Sequence, residues 1–429
     1  MKTDWLASNP VFYNENTKKA SHNINDVIDF KNIVFHPEGL YNYIDFGYSV
    51  FEQTPLRGVK FLPPNATIIK GKISYQHDPS DIEITGNVFE LIQSKVNTWE
   101  RTVREVVLPL SGGYDSRMLA CMVNKYKTFA FTYGISSRQY DSIEVVKAKK
   151  VCKILGITWK RITLGDYHNY INDWIRWYGP GVHAHGMYHI EFYKKIYAPA
   201  GIGLLSGIGG DLLSNQRTLI KNLTPANLTK LGHNHNIAGD ISQLNFSPDL
   251  ELREQYLREK KYRLKDIKYQ TIETIRLKAI LLSYLLTLPR RIGFNSYSPY
   301  MDPEVAMLML AQDKRKNRQW VLDFFTKQGV NLSGLKYTRA NTLNFQAILR
   351  YNLKPLDVNL LSELFNPRYV KWINNKLMYI SQLRRYRYRL MKTPYIKEGL
   401  KRIRFSEDIS KAYFAYLTLK PLETILKHK

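Results

Sequence analysis

The sequence predicts an α/β protein: a parallel sheet with helices on both faces, preceded by a small β-rich region and followed by a basic, mainly helical tail. Three observations carry this. From about residue 86, short apolar runs alternate with helical patterns, as expected of strands joined by crossover helices. The run Ser111-Gly112-Gly113-Tyr114-Asp115-Ser116 lies between one such strand and the next helix. Before residue 86, Pro and Gly punctuate short strand-like stretches every few residues.

Taken in order, YNYIDFGYSVFEQ and TPLRGVKFLPPNATIIKGKISYQ read as short strands and turns. NVFELIQSKVNTWERT then reads as an amphipathic helix. Four strands follow: VREVVLPL ending at Leu110, TFAFTYG at Gly134, GITWKRITL at Leu164 and GIGLLS at Ser206. Helices are expected between them over 117–125, 141–155 and 168–197. Residues 249–330 read as helical, with the periodicity over 275–288 stopped by Pro289. The segment 371–429 differs in character, with fifteen Lys or Arg against four acids, as in LRRYRYRLMK and LKRIRF. The expected division is 1–85, 86–345 and 346–429.

A chain of 429 residues corresponds to roughly two or three domains. Its 44% apolar content excludes a disordered basic tail. The net charge of +26 predicts attraction to phosphates, acidic polysaccharide or an anionic membrane surface. Cys121 and Cys152, the two cysteines, both fall in apolar helical patterns, which supports neither a disulfide framework nor a zinc site and fits a reducing compartment. The start MKTDWLASNPVFYNEN lacks an apolar core, and no long uncharged apolar stretch occurs. A cytoplasmic protein is expected, with peripheral attachment to the inner membrane face through the basic tail as one reading. A solvated, Tyr-packed helical face is the other.

The chemistry centres on Ser111–Ser116. Two glycines permit a tight turn that gathers backbone N–H groups, and the following helix adds its positive end, making a cradle for pyrophosphate. No Lys stands where a Walker A loop requires one, which excludes the ordinary NTPase reading. Asp115 would place a carboxylate beside the phosphates as a ligand of Mg²⁺, which calls for a second carboxylate nearby. Ser206-Gly207-Ile208-Gly209-Gly210-Asp211 supplies one beyond the fourth strand, on the same rim. Read alone, SGIGGD is also an ordinary glycine turn. In His183-Ala184-His185-Gly186-Met187-Tyr188-His189, His185 and His189 share a helical face. Pocket lining, packing or a metal pair are the readings, and no third ligand has a definite spacing.

LSGGYDSR, TFAFTYG, DSIEVVKAKKVCKILGITWKRI, LSGIGGD and SPYMDPE occur in the order and spacing of the synthetase domain of glutamine-dependent asparagine synthetases. The resemblance covers about 86–305. FGYSVFEQTPLRGVKFLPPNATIIKGKI resembles the closing strands of that family's glutaminase domain, so the β-rich region looks like a shortened remnant. The resemblance implies an adenine nucleotide α-hydrolase-like (PP-loop) fold, in which Ser111, Gly112, Gly113, Asp115 and Ser116 hold pyrophosphate and Asp115 with Asp211 binds Mg²⁺. Groups around Leu110, Phe131, Ser206 and Gly207 would recognise the rest of ATP. It implies adenylation of a carboxylate, release of pyrophosphate, and attack by an amine to give an amide and AMP. In the family a lysine well downstream of the sheet supplies a cation near the α-phosphate. Lys336 and Arg339 in GLKYTRANT fall in that region as catalytic candidates, a solvated charge pair on a loop being the plain alternative.

Three departures qualify the resemblance. Lys2 stands where the family's glutaminase has its nucleophilic cysteine, so glutamine hydrolysis is not expected and a separate ammonia donor becomes a candidate partner. Ile208 and Leu212 replace the acids of the family's S-G-E-G-x-D-E run, and Asn295 and Tyr297 replace charged residues of its E-x-R-x-P-F-L-D stretch. The expected substrate is therefore a carboxylate other than aspartate; related synthetase domains amidate uronic acids of surface polysaccharide, close β-lactams or cyclise peptides, and the resemblance leaves all three open. A tRNA-modifying enzyme with the same loop is the alternative that the charge suggests, but the glutaminase-like remnant argues against a nucleic-acid partner. A degenerate subunit that binds nucleotide without turnover is the third reading.

Overall fold

The computed structural model describes every residue except 135–138, 197–200, 215–218, 233–237, 313–317, 334–352 and 383–404. Near the N-terminus, β1 (Phe12–Asn14), β2 (Ala20–Ser21) and β3 (Val59–Phe61) form an antiparallel sheet in the order β2-β1-β3. Between β2 and β3 lies a helix, α1 (Pro37–Phe46), where strands and turns were expected. Its signals are local. The His36 ring accepts the Gly39 N–H at 3.0 Å, Pro37 opens the first turn, and Gly47 ends the helix at φ 79°. Leu40, Tyr43 and Ile44 are buried at helical spacing. The strands β4 (Ala66–Ile69) and β5 (Lys72–Tyr75) pair as a hairpin.

The helix α2 (Val88–Glu100) leads into the central sheet. There follow β6 (Glu105–Pro109), α3 (Tyr114–Ala120), β7 (Thr128–Thr132), α4 (Ile143–Leu155) and β8 (Thr158–Arg161). Next come α5 (Ile171–Tyr178), α6 (Tyr188–Lys194), β9 (Ile202–Leu205) and α7 (Gly210–Ser214). The helix expected over 168–197 is interrupted at Gly179-Pro180-Gly181, where Gly179 has φ 45°. The expected helix over 117–125 stops at Ala120, with Cys121 as its cap.

Beyond the sheet's fourth strand run α8 (Glu251–Glu259), α9 (Ile267–Leu277) and α10 (Ala279–Ile292). Pro289 does not stop α10. The helix continues to Ile292 and ends at Gly293, φ 109°, because a proline near a helix end forfeits one backbone bond without forcing the chain out. A fifth strand, β10 (Asn295–Tyr297), falls in the stretch read as helical. It is three residues long and polar, so it offered no apolar run to read. The five strands are all parallel, in the order β10-β9-β6-β7-β8. The winding direction therefore reverses between β6 and β9, the switch point at which such sheets bind ligands.

The chain continues through α11 (Pro303–Leu310), α12 (Gln319–Lys327), α13 (Val358–Leu361), α14 (Pro367–Gln382) and α15 (Phe405–Leu426). Far from being a solvated face, α15 is mostly buried, including Tyr413, Tyr416, Leu417 and Leu422. Tyr43 of α1 donates to the Thr418 carbonyl at 2.9 Å, and His168 meets the Tyr413 hydroxyl at 2.7 Å. One apolar cluster thus joins α1, α5, α6 and α15, while a second packs α2 and α11 against the sheet. Nearly all of the basic runs LRRYRYRLMK and LKRIRF lie outside the described residues. Among the described residues no helix is long and apolar enough to cross a membrane.

Candidate active site

The loops after β6 and β9 sit side by side at the switch point. Gly112 has φ 68°, and a Cβ there would lie 2.4 Å from Cβ of Lys147 and 2.8 Å from the backbone nitrogen of Ala148. Only glycine satisfies both the conformation and the close approach to α4. The Ser111 and Ser116 hydroxyls are 3.1 Å apart, and the Ser116 hydroxyl accepts the Ser111 N–H at 3.3 Å. Arg117, buried, donates to the Gly112 carbonyl at 2.6 Å and to the Val330 carbonyl at 3.2 Å, fixing the loop from behind. Gly113, the N-cap of α3, brings no side-chain cap, so the start of the helix is left to other acceptors.

The second loop fits against the first without room for side chains. A Cβ on Gly207 would come within 3.2 Å of the Ser116 nitrogen, and one on Gly210 within 2.7 Å of Cγ of Asp115. Asp115 and Asp211 thus lie at one mouth, with Ser111 and Asp211 exposed. The segment that ends β10 braces both loops. Tyr300 donates to the Asp115 carbonyl at 3.0 Å, and Ser298 donates to the Ile208 carbonyl at 2.9 Å.

Burial and then the like charge of Asp211 push the Asp115 carboxyl up to about 7. The Ser214 hydroxyl, at 3.3 Å, is its side-chain hydrogen-bond donor. Two carboxylates this close call for a cation between or beside them. In the structure Arg318 supplies part of that charge: it pairs with the Asp211 carboxylate and lies 4.9 Å from the centre of the Tyr114 ring. Among the described residues no group of three side chains forms a metal site. Two carboxylate oxygen donors completed by phosphate oxygens are, however, the set that Mg²⁺ uses, and a carboxyl held up by burial beside a like charge fits such an ion.

Beside the mouth opens a cavity of about 270 Å³ walled by Leu110, Ser111, Phe131, Thr132, Tyr133, Glu144 and Tyr188, with Pro109. Three of the residues expected to hold ATP line it: Leu110, Ser111 and Phe131. The Leu110 N–H and carbonyl are both engaged, with the Phe131 carbonyl at 2.9 Å and the Thr132 hydroxyl at 2.6 Å. Ser206 and Gly207 are not in its walls; Gly207 instead packs toward Ser116.

Several residues at the site escaped the sequence reading. Glu144 and Lys147 come from the first turns of α4, Tyr133 from the end of β7 and Arg318 from the residue before α12. The rule that ligands lie beyond strand carboxyl ends could have flagged Tyr133 and Glu144. Arg318, over a hundred positions from Asp211, had no local signal. Lys336 and Arg339, the sequence's candidates for a cation near the phosphates, lie outside the described residues. In the HAHGMYH segment, burial pushes His185 down to about 4 and His189 to about 3, and lowers His183 as well, so these rings are neutral. His189 reaches the pocket indirectly, its ring 2.9 Å from the Tyr133 hydroxyl. Cys121 and Cys152 are free thiols pushed up to about 12 by burial. Ile208 and Leu212, standing where the family has acids, are buried and apolar.

Comparison with curated proteins finds no match. Comparison with protein families finds one that fits this geometry, asparagine synthase, over residues 87–319, a little more than half of the chain and the part that carries the sheet and both loops. Members of that family are ATP-dependent ligases that form amides. With two interlocked glycine loops at the switch point of a parallel sheet and a family match spanning them, this chain belongs to the asparagine synthase family.

Proposed function

We propose that the protein adenylates a carboxylate other than aspartate and passes the acyl group to ammonia or an amine. The observation that carries this reading is the contact between the two loops, which brings Asp115 and Asp211 to one mouth beside a cavity of about 270 Å³. ATP enters with its pyrophosphate over Ser111, Gly112, Gly113 and Ser116 and its adenosine toward Leu110 and Phe131. A substrate carboxylate oxygen attacks the α-phosphorus, the bond to the bridging oxygen breaks, and pyrophosphate leaves. The amine nitrogen then attacks the acyl carbon, AMP departs with the electron pair of the broken C–O bond, and the nitrogen gives up a proton. Loop N–H groups and the two serine hydroxyls hold the phosphates in line, and this positioning lowers the barrier. Mg²⁺ held by Asp115 and Asp211 would neutralise the departing pyrophosphate. Arg318, which pairs with Asp211 at the same mouth, would lend its positive charge to the phosphates.

The apolar Ile208 and Leu212 remove the acids expected around an aspartate substrate and support a larger or differently charged acceptor, such as a sugar carboxylate. The nitrogen would come from free ammonia, an amine or a separate donor protein. A pyrophosphate-exchange screen across uronic acids, amino acids and peptides tests the proposal. Carboxylate-dependent formation of AMP and pyrophosphate is expected, whereas ADP and phosphate would overturn the chemistry. Tight Mg·ATP binding with no turnover on any carboxylate, in the presence of ammonium, would favour the degenerate-subunit reading that Ile208 and Leu212 also motivate.

A further inference from the structure

A second cavity, of about 240 Å³, lies where β3, β5 and their flanking loops meet α8, α9 and α10, and it shares no wall residue with the nucleotide cavity. Most of its charged groups are mutually satisfied. Asp78 is held by both terminal nitrogens of Arg276 at 2.7 and 2.8 Å. Glu273 is held by Arg263 at 2.8 Å and Arg276 at 3.3 Å, with Lys260 at 3.8 Å.

Glu52 stands outside this network. Its side chain makes no hydrogen bond or ion pair among the described residues. Glu52 is itself exposed and lines the cavity, where the protein atoms packed around its carboxyl push it up to about 7 against the pull of Lys260. Beside it, the Phe51 and Tyr256 rings meet at 5.1 Å, and the buried Tyr256 hydroxyl has no hydrogen-bond partner among the described residues.

The backbone points to the same place. Eight non-glycine residues among those described have positive φ, and four of them, Ala7, Phe51, Glu52 and Asn65, wall this cavity. Such conformations are costly and concentrate where a ligand is gripped. Here two adjacent ones present Phe51 and Glu52 together.

We propose that this cavity binds a small organic ammonium ion, its charged head on the Glu52 carboxylate and its body beside the Phe51 and Tyr256 rings. An unpaired carboxylate walled by aromatic faces attracts cations. Anions are disfavoured, because Arg276 and Lys260 are already committed to Asp78 and Glu273 and the free charge is negative. The volume, about that of eight water molecules, admits a molecule the size of phenethylamine. This site is separate from the phosphate mouth and does not depend on the reaction proposed there.

The test is calorimetric titration of the full chain at pH 8 with 2-phenylethylammonium and with the neutral isostere 2-phenylethanol. Saturable binding of the ammonium is expected, with the alcohol at least about tenfold weaker and Glu52→Gln losing affinity for the ammonium by a similar factor. Binding should persist in Asp115→Asn, which separates it from the nucleotide site. No binding of the ammonium to the wild-type chain, equal affinity for the alcohol, or an unchanged affinity in Glu52→Gln would each overturn the proposal. Should Glu52→Gln not fold, the comparison of the two ligands on the unaltered chain decides it alone.

Discussion

Asp115 carries an acid value pushed from 3.8 to about 7, so folding favours its protonated form. The stabilisation this gives is complete below the unfolded value and is lost as pH rises through about 7. Asp115→Asn should therefore raise the thermal midpoint of the ligand-free protein at pH 8, by about 1 kcal/mol in stability, while abolishing pyrophosphate release. The gain should vanish at pH 4, a difference scanning calorimetry resolves. Binding of Mg·ATP needs the ionised carboxylate, so its affinity should rise about tenfold per pH unit below that value and level off above it. Arg318 lowers the same acid value and pairs with Asp211. Arg318→Ala should move the midpoint of that pH profile upward, and a profile coincident with the wild type would show that the guanidinium exerts no field at the mouth.

At the scale of elements, the phosphate loop is held by α4 behind it and by the end of β10 beside it. Gly112→Ala would force a Cβ into Lys147 and the Ala148 backbone at positive φ. It should cost about 1–3 kcal/mol in chemical denaturation and weaken nucleotide binding measured on the folded fraction. The loop's glycines, its flanking strand and its helix were legible in the sequence because their signals are local. The third helix between strands was legible only as a helical pattern, since the break at Gly179-Pro180-Gly181 lies inside a run that is otherwise periodic. Strand β10 was not legible: Asn295, Ser296 and Tyr297 have no strand pattern, and they become a strand because β9 presents an unpaired edge to them.

For the molecule as a whole, the N-terminal region and the C-terminal helix share one core. Tyr43 and His168 both hydrogen-bond to α15, and Leu417 is fully buried between them and their neighbours. Leu417→Ala should destabilise the protein by about 2–5 kcal/mol in urea unfolding. Tyr fluorescence from the N-terminal region and far-UV circular dichroism should report the same transition if this core unfolds as a unit. The described part of the C-terminal segment is packed into this core, while most of its basic residues lie outside the described residues.

The sequence by itself determined the α/β class, the four longer strands, the two glycine loops and the pair of carboxylates, because strand period, glycine turns and helix starts are written within a few residues of one another. Tertiary structure alone decided that Arg318 reaches Asp211, that Tyr300 and Ser298 tie the loops, that Glu144 and Tyr133 wall the cavity beside the mouth, and that Glu52 is left unpaired among the described residues in a second one. Those relations join residues distant in the chain, and they arise from how strands order themselves in the sheet and how helices close over it, which no local pattern records.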